Sequence, residues 1–197
     1  MTVLYLIVAR GGSKRLPGKN LKEILDISLV GYKCLAATKA KSCSLAMIST
    51  DSPQIAEVAR QYGVLVPFIR PAELATDEAT TEDVVRHAMA WCEEHHQKCD
   101  AIQLLEPSSP FIAPYHYDVA VEVMRKTGKA LVLASTLYLF RWDYLTTRRD
   151  LYDDPQDAYP LTSIPEESLI DIDTLRDFHF AECLAEKGYV DLSWAKT

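Results

Sequence analysis

Apolar and polar positions fall in alternating blocks along this chain, and the blocks predict strands and helices in turn. Val3 to Val8 is an unbroken apolar run, the pattern of a strand buried on both faces. Ser28 to Lys41 places Leu29, Cys34, Leu35 and Ala37 among the apolar positions of a helix. Leu45 to Ser49 predicts a second buried strand. Ser52-Pro53 supplies a cap and a first-turn proline for a helix to about Tyr62, which Gly63 ends. Val64 to Val66 predicts a short third strand. Thr80-Thr81-Glu82-Asp83 opens a long helix through about His96. Ala101 to Leu105 is the next strand, and Pro114 starts a helix reaching Lys126. Ala130 to Ala134 and Thr136 to Phe140 predict two strands in close succession. Asp173-Thr174 caps a last helix that Gly188 terminates.

Strand and helix in alternation predict an α/β fold, a mainly parallel sheet covered by helices on both faces in three layers. The loops over residues 9–20, 50–53, 67–80 and 106–113 each follow a strand. In a parallel sheet they converge at the carboxyl edge, where ligands bind. No repeat, low-complexity stretch or linker divides the chain, so residues 1–197 read as one domain.

Composition narrows the function. Apolar residues make up 48% and charged residues 25%, as in globular proteins. A net charge of −7 argues against general nucleic-acid binding. Five scattered cysteines suggest free thiols in a reducing compartment, not a disulfide framework. No apolar run approaches the ~20 residues of a membrane span. Residues 1–8 begin as a strand with no signal-peptide pattern. A cytoplasmic enzyme or binding protein is the expectation.

Against this acidic background stands one cationic stretch, Ala9 to Asn20. It holds Gly11, Gly12 and Gly18 with Arg10, Lys14, Arg15 and Lys19, directly after the first strand. Glycines let the backbone approach a ligand, and successive N–H groups form an anion cradle. Polyphosphate binding is the chemistry this implies. It is not a Walker A loop, because Ser13 stands where the first glycine should and Asn20 where Ser/Thr should. The dinucleotide pattern Gly-x-Gly-x-x-Gly is absent as well.

Residues 9–21, Ala-Arg-Gly-Gly-Ser-Lys-Arg-Leu-Pro-Gly-Lys-Asn-Leu, closely resemble the signature of the acylneuraminate cytidylyltransferases. The likeness continues through Ile48 to Ser52, Ile69 to Asp77, Leu104 to Pro110 and Ile170 to Thr174, and so spans nearly the whole chain. More distantly it extends to the synthetases of CMP-activated octulosonate. The resemblance implies a Rossmann-like nucleotidyltransferase fold and transfer of CMP from CTP to an acidic nine-carbon sugar. It assigns nucleotide binding to Arg10, Gly11, Gly12, Ser13, Lys14, Lys19, Asn20, Arg70, Thr80 and Thr81. Arg70 and the two threonines would read the cytosine. It assigns the sugar to Glu106 and Ser108. Catalysis falls to Arg10, Lys19, Asp171 and Asp173, the last two holding Mg²⁺. A sugar hydroxyl would attack the α-phosphorus in line, and pyrophosphate would leave. The family is homodimeric.

The residues themselves allow two readings of Asp171-Ile172-Asp173. Alternation along a strand would put both carboxylates on one face, suited to a hard cation. Alternatively, Asp173 caps the following helix. Cys92, His95, His96 and Cys99 have zinc-ligand types on one helical face, but Cys99 falls beyond the expected helix end. Ser108 and Ser109 lack a local base. Tyr138, Trp142 and Tyr144 read as packing residues. No side chain stands out as a general base.

Two departures from the family pattern matter. Glu106 stands where many sialic-acid enzymes carry glutamine, and Phe111-Ile112 replaces Leu-Arg. A carboxylate there repels an acidic sugar unless it is protonated or paired with a cation. The predicted strands on either side of Ser135 lie almost end to end, where family members carry a few dozen residues that support dimerisation and sugar contact. Either the segment is deleted or it is omitted near residues 135–136. Three functions therefore stay open: a nonulosonate cytidylyltransferase, a shortened relative that binds CTP or CMP without sugar transfer, and a cytidylyltransferase for an octulosonate.

Overall fold

The structure is a computed structural model and describes residues 1–147 and 156–196. Its strands are β1 (Val3–Val8), β2 (Glu23–Ile24), β3 (Ile27–Ser28), β4 (Leu45–Ser49), β5 (Ala101–Leu105), β6 (Leu131–Ala134), β7 (Leu137–Arg141) and β8 (Ala158–Pro160). Its α-helices are α1 (Leu29–Lys39), α2 (Pro53–Gln61), α3 (Thr81–Glu94), α4 (Pro114–Thr127), α5 (Trp142–Thr147) and α6 (Leu175–Glu186). Among the described residues the strands form a six-stranded sheet in the order β4-β1-β5-β7-β6-β8, and β2-β3 is a separate hairpin.

The all-apolar run of β1 is explained by its central place. Val3, Tyr5 and Ile7 pack with Cys34, Ala37 and Tyr117 of α1 and α4 on one face. Leu4 and Leu6 pack with Val85, Ala88 and Met89 of α3 on the other. Both faces are sealed, so no polar position is tolerated. β1 pairs in parallel with β4 and β5, which brings their carboxyl ends to one edge.

Three sequence expectations need correction. The strand over Val64 to Val66 is reduced to a single bridge between Met47 and Leu65. The sheet is mainly parallel, as expected, with β7 running antiparallel to both β5 and β6. The reason is the short Ser135-Thr136 link: two residues allow a hairpin, whereas a parallel return needs a long crossover. Ser135 takes a positive φ of 47° in that turn, and the second strand starts at Leu137 rather than Thr136. Finally, Asp171 to Asp173 is not a strand of the sheet but an extended segment leading into α6. The β2-β3 hairpin, α5 and β8 went unread because each is too short to show a period.

α6 is capped by Thr174, not by Asp173. The Thr174 hydroxyl accepts from the Asp177 N–H, and the Asp177 carboxylate accepts from the N–H groups of both Thr174 and Asp173. Asp173 therefore keeps its carboxylate for the cleft. Between the two acids, Ile172 is fully buried in an apolar cluster with Leu16, Tyr32, Phe111 and Phe178. Its N–H donates to the Ser108 carbonyl at 2.7 Å. Burying such a side chain contributes about 1.5–3 kcal/mol. Half-exposed ion pairs to Asp173 contribute about 0–1 kcal/mol. Ile172 is thus the anchor that places Asp173.

Removing the cap should loosen this segment. Thr174→Ala is expected to lower stability by about 1 kcal/mol. The check is the urea midpoint, which should fall with no change in the slope of the transition.

Candidate active site

The carboxyl edge of β1, β4 and β5 opens into a cleft of about 560 Å³. Its wall is the cationic loop that follows β1. The four expected loops meet here through specific bonds. Gly11 N–H donates to Asp51 at 2.7 Å, and a Cβ on Gly11 would come within 3.0 Å of the Ser52 Cβ, so glycine lets the two loops close without displacing Ser52. Gly18 takes a left-handed φ of 68° ahead of the short turn that carries Lys19 and Asn20. Asn20 is buried and donates to the Arg10 carbonyl at 2.8 Å, folding the loop onto itself.

Each cation of the loop meets a carboxylate across the cleft. Arg10 pairs with Asp77 at 2.9 Å and also donates to the Thr76 carbonyl, while Lys14 pairs with Asp77 as well. These cations hold the Asp77 carboxyl below the usual carboxylate range, with the Lys14 bond the larger cause. Arg15 and Lys19 both pair with Asp173, at 2.9 and 3.1 Å, and Lys19 also donates to the Ile172 carbonyl at 2.8 Å.

Arg70 is not a surface residue. It is buried, donates to the Ser49 hydroxyl and carbonyl at the end of β4, and lines the cleft. Burial lowers its pKa to about 10. Thr80 and Thr81 line the opposite wall at the start of α3. The Thr80 hydroxyl already donates to Asp83 at 2.8 Å and accepts from the Asp83 N–H. It can offer a ligand one remaining acceptor site and no donor.

Of the residues expected in the site, Arg10, Gly12, Ser13, Lys14, Lys19, Asn20, Arg70, Thr80, Thr81, Glu106, Ser108 and Asp173 all line this cleft. Gly11 and Asp171 are not among its lining residues: Gly11 packs against Ser52, and Asp171 is exposed. Asp171 nonetheless lies close enough to raise the Glu106 pKa, as does Asp173. Two carboxylates on either side of a buried Ile172 suit a Mg²⁺ ion that draws its other oxygens from phosphate and water. Sequence reasoning missed Asp77, whose signal was an acid in a loop expected to converge on four cations. It also missed Lys33, a lysine in the middle of a helix buried along its length.

The other candidates resolve differently. Cys92 is buried in the core and faces Cys99, while His95 stacks on Trp91 and its Nδ1 lies 2.9 Å from the Trp91 carbonyl. Among the described residues no group of three His, Cys, Asp or Glu side chains could hold a metal ion. Tyr138, Trp142 and Tyr144 pack on the second core face. Among the described residues no helix is long and apolar enough to cross a membrane.

A six-stranded, mainly parallel α/β sheet with a cationic glycine loop at its carboxyl edge is a nucleotidyltransferase-type fold. More narrowly, the chain belongs to the cytidylyltransferase family, whose model matches residues 4–162. It is 41% identical over 142 residues to a CMP-N,N'-diacetyllegionaminic acid synthase of Legionella pneumophila, which covers 71% of this chain and 60% of that protein. It therefore spans less than two thirds of that relative. It is 27% identical to a pseudaminic acid cytidylyltransferase of Campylobacter jejuni, covering 93% of this chain and 96% of that protein. That alignment runs over 223 positions, more than the 197 residues of this chain, so the relative carries residues within the matched span that this chain lacks. Among solved structures, a CMP:2-keto-3-deoxy-manno-octonic acid synthetase complexed with CTP has a TM-score of 0.74 at 15% identity, covering 95% of this chain and 100% of that one. At that identity the likeness is one of fold.

If Asp77 holds the loop cations against a phosphate, removing its charge should favour anions. Asp77→Asn is expected to bind inorganic triphosphate about two- to fivefold more tightly at low salt, with the gain shrinking as salt rises. Calorimetry at two salt concentrations checks it.

Proposed function

We propose that this chain transfers CMP from CTP to an acidic nine-carbon sugar, a sialic acid or related nonulosonate, and releases pyrophosphate. The observation that carries the reading is the convergence of the cationic loop, Arg70 and the Thr80–Thr81 turn in one cleft, in a chain of the cytidylyltransferase family. The loop N–H groups with Arg10, Ser13, Lys14, Lys19 and Asn20 bind the triphosphate. Arg10 and Lys19 stabilise the charge that grows on the leaving pyrophosphate. Arg70 donates to the cytosine carbonyl oxygen, and Thr80, whose hydrogen is taken by Asp83, accepts from the cytosine amino group. Glu106 and Ser108 face the sugar.

Cytidylyltransferases of this kind generally need a divalent metal, and Asp171 and Asp173 are the residues that would hold Mg²⁺ here. When bound, the ion neutralises phosphate charge and polarises the α-phosphate. Arg15 and Lys19 pair with Asp173, and an ion held there would leave both cations free for the triphosphate. Most of the rate comes from holding the hydroxyl and α-phosphate in line, since such transfers need positioning and charge neutralisation above all.

A second reading has its own support. β6 and β7 are joined by two residues, and the Campylobacter relative carries extra residues within the matched span. A shortened relative that binds CTP or CMP without sugar transfer would fit that geometry, and the dimer of the resembling enzymes would then be lost.

Pyrophosphate release from CTP and Mg²⁺ across a panel of nonulosonates and an octulosonate separates the readings. Release with a nonulosonate is expected, and Lys19→Ala should reduce kcat about 10²–10³-fold. Asp173→Asn should abolish the Mg²⁺ dependence along with turnover. No release with any sugar, with CTP binding intact by calorimetry, overturns the transferase in favour of the shortened binder.

A further inference from the structure

Among the described residues three carboxylates line the cleft: Asp77, Asp173 and Glu106. The first two are held by loop cations. Glu106 is not. Among the described residues no side chain hydrogen-bonds its carboxylate or pairs with it within 4 Å, although it sits immediately past the carboxyl end of β5, beside Ser108. Lys33 of α1 is fully buried, with the Tyr117 hydroxyl of α4 as its hydrogen-bond partner at 2.8 Å, and is near enough to Glu106 for each to feel the other's charge. A buried ammonium is costly without an opposing charge. Glu106 supplies that charge, and each group favours the charged form of the other.

The groups around Glu106 have opposing effects. Burial raises its pKa most, and Asp171 and Asp173 of the extended segment raise it further, while Lys33 of α1 and Lys19 of the loop lower it. Tyr117 of α4 and Tyr138 of β7 also feel its charge. The balance is a carboxyl above its ordinary value, and desolvation brings Lys33 down to about 7. A cleft-lining carboxylate that no side chain ties up, with its pKa raised, is suited to take a proton from a substrate hydroxyl.

We propose that Glu106 is the general base of this site and that Lys33 is the positioning residue that holds its negative charge in place. This rests on the transferase reading above. As the acceptor hydroxyl attacks, its O–H bond breaks and the proton passes to a Glu106 carboxylate oxygen. The oxygen's electron pair forms the new bond to the α-phosphorus. The bond from that phosphorus to the bridging oxygen of the β-phosphate breaks, and its electron pair leaves with pyrophosphate. The proton on Glu106 then exchanges with water in the open cleft. The carboxylate that departs from the resembling enzymes thereby acquires a role instead of being a defect in the sugar pocket.

The test is the pH profile of pyrophosphate release with CTP, Mg²⁺ and whichever nonulosonate turns over. The base works deprotonated, so kcat of the unaltered protein should fall as pH drops through a limb above the usual carboxylate range. Glu106→Gln should lower kcat about 10²–10⁴-fold and remove that limb, with CTP affinity by calorimetry unchanged. Lys33→Met removes the opposing charge, so the limb should move to higher pH while kcat on the alkaline plateau survives, a shift that loss of packing alone does not produce. Wild-type kcat and an unmoved limb in Glu106→Gln would overturn the assignment and leave the transferase reading standing. Inactivity of the unaltered protein toward every sugar, with CTP bound, would instead overturn the transferase reading, and this assignment with it.

Discussion

Four cations within ten residues of one loop repel one another, and two carboxylates from distant parts of the chain hold them in place. Asp77 holds Arg10 and Lys14, and Asp173 holds Arg15 and Lys19. Neither carboxylate is positioned by the ion pairs themselves, which are half-exposed and weak. Asp173 is placed by buried Ile172 and by the Thr174–Asp177 cap. Asp77 belongs to the loop whose first part is bound to β4 through buried Arg70. Apolar packing and buried hydrogen bonds thus set the geometry, and electrostatics completes it. The result is a set of donors already gathered where a polyphosphate can replace the carboxylates.

The two halves of the cleft use charge differently. Along the cationic loop most of the paired charges are half-exposed or exposed, so a highly charged ligand can exchange with them. At Glu106 a half-buried carboxylate that lines the cleft feels the charge of a fully buried lysine. Charges in such surroundings act over longer range and shift each other's protonation. On the proposed reading, that makes the Glu106 end of the cleft a place for proton chemistry and accounts for a carboxylate in a pocket proposed to receive an acidic sugar.

Much of the fold was legible in the sequence. The runs at β1, β4 and β5 are apolar because both faces of those strands are covered. The caps at Ser52, Thr80 and Thr174 mark helix starts by their own hydrogen bonds. The convergence of four loops follows from parallel strands alone. What was not legible depended on contacts between remote residues. Val64 to Val66 has strand composition but meets β4 at one bridge only. Asp171 to Asp173 alternates like a strand because Ile172 enters an apolar cluster, not because the segment joins the sheet.

The site divides in the same way. Local sequence determined the phosphate loop, because glycine conformations and clustered cations are properties of a dozen adjacent residues. It also determined the threonine turn at α3. Only the tertiary structure decided that Asp77 and Asp173 share out the loop cations and that buried Lys33 lies near enough to Glu106 for each to feel the other's charge. Those relations join positions dozens to more than a hundred residues apart. Their energies depend on distance and burial, and neither exists until the sheet, α1 and α6 have packed.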